Sequence, residues 1–424
     1  MIVINRCKNI LGEEQTLQIQ SSDDLSIDAE GLTVMPALID PHVHFRTPGS
    51  EYKENWKSGA NAALAGGVTT VFDMPNNTPS CCTLERLLEK RHLIEEQLSE
   101  VDIPLRYHLY FGANKKTLDQ IPLASKYTSA IKVFMGSSTG NLLIDDDKTL
   151  EKIFKLAKKY HLTVAIHAED ECILRERSKL FSHCKDPSVH SKIRDRSAAI
   201  KAVDKALFFS KKYGTRLYIL HISTKEEVEL IRKAKSENLT IFSETTPHYL
   251  FYTENSYQNL GTKIQMNPPL RSNSDQDSLW EGIYNGTIDA IGTDHAPHTF
   301  EEKTQPYGCA PSGVPGIETL LPLLLNAHHS GKISLEKILA LTRTNVEHFF
   351  SLKKNNDLVL VDLNKQKKVE EENLKTKCAW SPFASLSLTG WPIFTILKEK
   401  IYKVDTKGRS ILPLYSQQAI EAIK

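Results

Sequence analysis

The chain has 424 residues, with 53 Lys and Arg against 52 Asp and Glu, a formal net charge of +1 and no sustained block of one sign. That balance offers no electrostatic basis for binding nucleic acid or an anionic membrane, and no segment approaches the run of about 20 apolar residues that spans a bilayer. The length allows a large core, either one α/β barrel with a smaller module or two to three ordinary domains. The first residues, Met1-Ile2-Val3-Ile4-Asn5-Arg6, lack the charged-then-apolar order of a secretory leader, and the seven scattered cysteines show no C-x-x-C spacing. Both features read as a cytoplasmic protein with reduced thiols.

Residues 1–34 read as short strands at 1–5, 16–20 and 31–34. A strand–helix rhythm follows. Buried strands are predicted at 34–42, 68–73, 105–111, 130–135, 162–167, 216–221, 239–244 and 288–294, from short apolar runs, several of them rich in β-branched residues. Helical patterns lie between them at 54–65 (ending in the C-cap signal Gly66-Gly67), 83–98 (N-capped by Thr83), 147–160, 196–213, 224–234, 274–284 and 317–327, with a weak one at 115–124. Eight strands alternating with helices point to an α/β fold, a (β/α)8 TIM-like barrel over 35–354 closed by a helix at 334–350. Strand patterns at 358–362, 393–399 and 400–405 are of the same kind as those at the start. Neither end is large enough to be stable alone, so the expectation is one small β-sandwich module, 1–34 plus 355–424.

A barrel of this kind gathers its chemistry at the C-terminal ends of its strands. In an extended chain, side chains at i and i+2 point the same way, so His42, His44 and Arg46 are expected on one face. Alone, that motif reads as an exposed loop after a strand. The other strand ends supply His167, His221 and Asp294, all metal-ligand types, and strand four contains Lys132 between Ile131 and Val133. A buried ammonium there is costly unless neutralised or modified. Four imidazoles and one Asp can hold two divalent ions, and two such ions need an anionic bridge. A lysine carbamylated by CO2 provides one. Such a site lowers the pKa of a bridging water and polarises a carbonyl, with Asp294 placed to move the proton to a leaving nitrogen.

Several longer motifs sharpen this. They are Asp40-Pro41-His42-Val43-His44-Phe45-Arg46-Thr47-Pro48-Gly49, Gly66-Gly67-Val68-Thr69-Thr70-Val71-Phe72-Asp73-Met74-Pro75-Asn76, His167-Ala168-Glu169, His221-Ile222-Ser223-Thr224, Asn267-Pro268-Pro269-Leu270-Arg271 and Gly292-Thr293-Asp294-His295-Ala296-Pro297-His298. Through them nearly the whole chain resembles the amidohydrolase superfamily and, within its cyclic-amidase branch, the dihydroorotases. The resemblance implies two Zn2+ per chain, one on His42, His44 and Asp294 and the other on His167 and His221, bridged by carbamylated Lys132 and a hydroxide. It implies substrate contacts from Arg46, Asn76, Asn267, His298 and the backbone around Ser312-Gly313, with Arg46 and Asn76 holding a carboxylate. It further implies reversible cyclisation of N-carbamoyl-L-aspartate to dihydroorotate in pyrimidine synthesis, a small-molecule partner and a homodimer. The Ser137–Asn141 loop, rich in Gly and Ser, is a candidate lid. A hydantoinase- or allantoinase-like cyclic amidase and a silent scaffold homologue are the alternatives.

Overall fold

The apolar run expected as one strand over 34–42 is divided at Ala37. Residues Thr33–Pro36 pair antiparallel with the C-terminal half of the chain, whereas Leu38–Val43 open the barrel. Pro36 has no N–H to continue a ladder. Ala37 instead donates to the Asp357 carbonyl (3.0 Å) and accepts from the Arg343 guanidinium (2.6 Å). One apolar stretch therefore serves two sheets.

The computed structural model describes residues 1–21, 24–138 and 140–414. The last ten residues of the expected composite module, and Thr139 of the expected lid loop, lie outside them. In chain order the strands are β1 (Ile2–Lys8), β2 (Glu14–Ile19), β3 (Leu25–Asp28), β4 (Thr33–Pro36), β5 (Leu38–Val43), β6 (Val68–Asp73), β7 (Arg106–Gly112), β8 (Ala130–Phe134), β9 (Thr163–His167), β10 (Leu217–Ile219), β11 (Ile241–Thr245), β12 (Ala290–Ile291), β13 (Leu358–Lys368), β14 (Ser387–Leu397) and β15 (Lys400–Lys403). Strands β5 to β12 are sequential parallel neighbours. The seam between β12 and β5 is closed by a parallel bridge from Val43 to His295 and by the His44 N–H on the His295 carbonyl (2.8 Å).

Two strands stop short of their expected ends for a common reason. His221 and Asp294 have left-handed backbones, φ 40° and 46°, which turn the chain out of the regular extended conformation of a strand. At the β12 seam the ladder is replaced by a side chain, with the Thr293 N–H donating to the Asp40 carboxylate at 3.0 Å. Inside the barrel, aromatic Phe72, Tyr110, Tyr218 and Phe242 pack with small Ala130, Ala165 and Ala290. Phe349 stacks on Phe242 at 4.4 Å, filling the N-terminal end. The interior is thus packed solid below the catalytic end, as inward layers of a small barrel require.

The outer helices start where short polar side chains can cap them. Thr83 accepts from the Arg86 N–H as predicted, and the first helix begins at Trp56, one capping box after Asn55, not at Glu54. The expected helix 334–350 is broken into Leu335–Leu339, a π-helical turn Ala340–Thr344 and Asn345–Phe350. That turn carries Arg343, the residue that holds Ala37 and Asn355 at the sheet change. The second sheet has the order β15-β14-β13-β4-β1-β2, with β3 on β1, so both chain ends build it. It curls over Ile2, Ile4, Leu25, Ile27, Val34, Leu360, Phe394, Ile396 and Ile401.

Candidate metal centre and active site

His42 and His44 do share a face at the end of β5. Their Nε2 atoms lie 3.1 and 3.0 Å from the same oxygen, Oδ1 of Asp294. One ligand atom from each of the three residues falls within 4.8 Å of the others. Arg46 departs from the strand alternation, because its own backbone is left-handed (φ 63°). At the end of β9, His167 Nδ1 meets His221 Nε2 at 2.9 Å, and the His42 and His221 rings, 5.5 Å apart, connect the two groups. Lys132 on β8 is buried, with its Nζ 4.7 Å from the Phe134 ring centroid.

Carboxylates behind the imidazoles settle their orientation. Glu244, on β11, takes His42 Nδ1 at 2.5 Å and is itself held by the Tyr218 hydroxyl and the His221 N–H. Glu169 takes His167 Nε2 at 2.9 Å and is held by the Arg194 guanidinium. A carboxylate on the far nitrogen fixes which lone pair an imidazole presents, and it is the arrangement that metal-binding histidines use. Glu244 and Glu169 escaped the sequence reading as site residues. The signal that singled out Lys132, an ionisable residue inside an apolar strand, was present for Glu244 as well.

The charges of the cluster favour a cation. Burial alone would lower His42, but Asp294 and Glu244 outweigh it and raise it to about 9. Burial would raise Asp294, yet His42 and His44 hold it well below the usual carboxylate range. His44 is pushed down to about 3 by burial, and Lys132 down to about 7 against the pull of Asp294 and Glu244. Buried imidazoles beside a committed carboxylate are donors suited to a divalent ion such as zinc. Glu244→Gln is expected to weaken metal retention by about 10- to 100-fold, the usual effect of losing such a supporting carboxylate. Chelator competition followed by metal analysis measures it.

The residues expected to contact a substrate fall into two sets. Arg46 donates from Nε to the Pro297 carbonyl (3.0 Å), and its Nη2 lies 3.3 Å from His298 Nε2. His298 in turn faces the Ser312 carbonyl at 3.1 Å. Gly313 has φ 136°, and a Cβ there would lie 2.6 Å from the Ala296 carbonyl oxygen, so the loop passes close only because it has no side chain. These four residues converge. Asn76 and Asn267 stand on other loops: Asn76 abuts Gly140, and Asn267 Oδ1 accepts from His190 Nε2 at 2.9 Å. Within the expected lid loop, the Ser137 N–H donates to Glu171 (2.7 Å), and Asn141 takes the Ser80 hydroxyl at 2.7 Å. Among the described residues, no helix is long and apolar enough to cross a membrane.

Comparison with known proteins agrees with this geometry. The amidohydrolase family model matches residues 33–401. A dihydroorotase of Methanosarcina mazei is 36% identical over 90% of this chain and 86% of its own length. One from Halobacterium salinarum is 37% identical over 85% and 84%, respectively. Among solved structures, the L-hydantoinase (dihydropyrimidinase) of Arthrobacter aurescens superposes with a TM-score of 0.89 at 26% identity, covering 97% of both chains. With the barrel, the strand-end histidines and these relatives in agreement, the chain belongs to the amidohydrolase family, among the dihydroorotases.

Proposed function

We propose that this chain is a metal-dependent cyclic amidase that interconverts N-carbamoyl-L-aspartate and (S)-dihydroorotate, the ring-closing step of pyrimidine synthesis. The observation that carries the choice of ring is Arg46. The residue is 7% exposed, and its guanidinium sits beside the His42, His44 and Asp294 cluster without an ion pair among the described residues. A buried guanidinium with its terminal nitrogens unpaired by carboxylate is suited to a planar anion, and dihydroorotate carries an exocyclic carboxylate. Hydantoin and dihydrouracil carry none.

Two divalent ions, zinc by family resemblance, would be held by His42, His44 and Asp294 and by His167 and His221, with carbamylated Lys132 as the bridge. Bound there, such a pair supplies a hydroxide at neutral pH and polarises the amide carbonyl. The protein's own groups do the rest. Arg46, with Asn76 and Asn267 on the neighbouring loops and the Ser312-Gly313 backbone, holds the ring so that its amide carbonyl faces the cluster, and His298 lines the same pocket against the guanidinium. Asp294, ionised because two imidazoles face it, takes the proton of the attacking water and passes it to the ring nitrogen as the carbon–nitrogen bond breaks. Ring closure runs the same path backwards. Glu244 and Glu169 keep the imidazoles aimed. Burial keeps a good fraction of Lys132 in the neutral amine form, the form that adds CO2 and then loses a proton to become a carbamate.

Arg46→Ala is expected to raise KM for dihydroorotate by roughly 10- to 100-fold, the worth of a charged hydrogen-bonded pair in a dry site, and to leave an uncharged cyclic imide almost unaffected. Steady-state assays on dihydroorotate, hydantoin, dihydrouracil and allantoin decide this. Equal losses on charged and uncharged rings would refute the carboxylate clamp. A protein that turns over only the uncharged rings is a hydantoinase-like amidase, and one that binds no metal is the scaffold.

A further inference from the structure

Lys303 closes the short helix Phe300–Lys303 and is completely buried. Its Nζ donates to two backbone carbonyls, those of Gln265 and Pro311, both at 2.9 Å, and no carboxylate pairs with it among the described residues. Packing alone would be served as well by an apolar side chain, since burying an amine without a carboxylate partner is a desolvation cost that its two carbonyl contacts offset only in part. Gln265 completes the tie. Its Nε2 donates to the Ala310 carbonyl and the Ser312 hydroxyl, both at 3.1 Å, and its own carbonyl also accepts from the Gly313 N–H at 2.9 Å. Together the two side chains grip the backbone of 310–313 from behind.

The front of that backbone is the Ser312 carbonyl, which faces His298 Nε2. On the opposite side of the imidazole, Lys53 Nζ lies 3.0 Å from Nδ1. An ammonium has only donors, so Nδ1 accepts. The hydrogen of the neutral ring is therefore on Nε2 and is donated to Ser312. An Nε2–H cannot accept from Arg46, whose Nη2 is 3.3 Å away. His298 consequently packs against the guanidinium without consuming its hydrogen bond.

The geometry points to Lys303, with Gln265, as a positioning residue for carboxylate recognition: by fixing the Ser312 carbonyl it holds His298 in the Nε2–H tautomer and keeps the Arg46 fork open to the ring's carboxylate. This deepens the dihydroorotate reading and rests on it. Neither residue touches the substrate in this account; both act through Ser312 and His298.

The test is Lys303→Met in the full-length, metal-loaded protein. KM for dihydroorotate is expected to rise about tenfold while kcat stays within about twofold, the loss of one charged contact's alignment and not of chemistry. In the Arg46→Ala background the same substitution is expected to leave KM within about twofold, because the clamp it serves is already gone. Nitrogen-15 spectra of the imidazoles should show His298 as the Nε2–H tautomer in the wild type and shifted from it in Lys303→Met. Equal losses in both backgrounds, a fall in kcat at constant KM, or an unaltered His298 tautomer overturns the inference. Gln265→Leu leaves Lys303 in place and must raise KM in the same direction, which decides the matter if Lys303→Met does not fold. A wild type inactive on dihydroorotate would refute the activity reading instead, and the His298 tautomer then decides the positioning role by itself.

Discussion

Asp294→Asn is expected to reduce kcat on dihydroorotate by about 1,000-fold, within the roughly 100- to 10,000-fold range of a positioned acid–base group, with KM little changed. The substitution keeps the size and planarity of the side chain. An amide oxygen still faces His42 and His44, whose Nε2 atoms lie 3.1 and 3.0 Å from Oδ1 in the wild type. What is lost is a carboxylate able to take and return a proton. The left-handed backbone at 294 (φ 46°) tolerates Asn as well as Asp, so the fold should not suffer. Metal content measured on the same preparation separates the two roles of this residue. A variant that retains metal and loses turnover supports the proton shuttle, and a variant with near-normal rate rules it out.

Lys132→Met should separate stability from activity. The thioether chain matches the lysine stem in length and fills the same space. Removing a buried amine that forms no ion pair among the described residues should leave the metal-free protein at least as stable, with Tm unchanged or higher. Metal retention is expected to fall, from about two ions per chain to one or fewer, because no anionic bridge remains between two like charges. With the pair gone, several kcal/mol of transition-state stabilisation goes too, about a 1,000-fold loss in kcat/KM. Calorimetry, metal analysis and steady-state kinetics on one preparation check all three. Retention of both metal and rate in Lys132→Met would exclude the carbamate bridge. In the wild type, reconstitution of the metal-free protein should likewise recover more activity with bicarbonate than in CO2-depleted buffer.

Much of the barrel is visible along the chain because its strands are buried on both faces and so read as uninterrupted apolar runs. Polar groups at the ends of those runs stand out against them. His42, His44, His167, His221 and Asp294 were singled out in this way, and Lys132 by its intrusion into such a run. The same intrusion marks Asp40 and Glu244, the carboxylates that hold Thr293 and His42. Their roles stayed hidden because an intruding charge announces that it has a partner without naming it. Arg46 does not follow the alternation that placed it beside His42 and His44. Strand alternation ends before it, and its left-handed backbone turns it towards His298.

The alternation of strands and helices, the end of the barrel where polar groups gather, and the residue types gathered there are all legible along the chain. These follow from local periodicity and from the cost of burying polar groups. Where the run 34–42 changes sheets, which carboxylate stands behind which imidazole, and how Lys303 and Gln265 reach the loop behind His298 emerge from the packed fold. Glu244 is 202 positions from His42, and Asp294 is 250 from His44. Hydrogen bonds across such separations depend on how the barrel closes, and no periodicity along the chain encodes that closure.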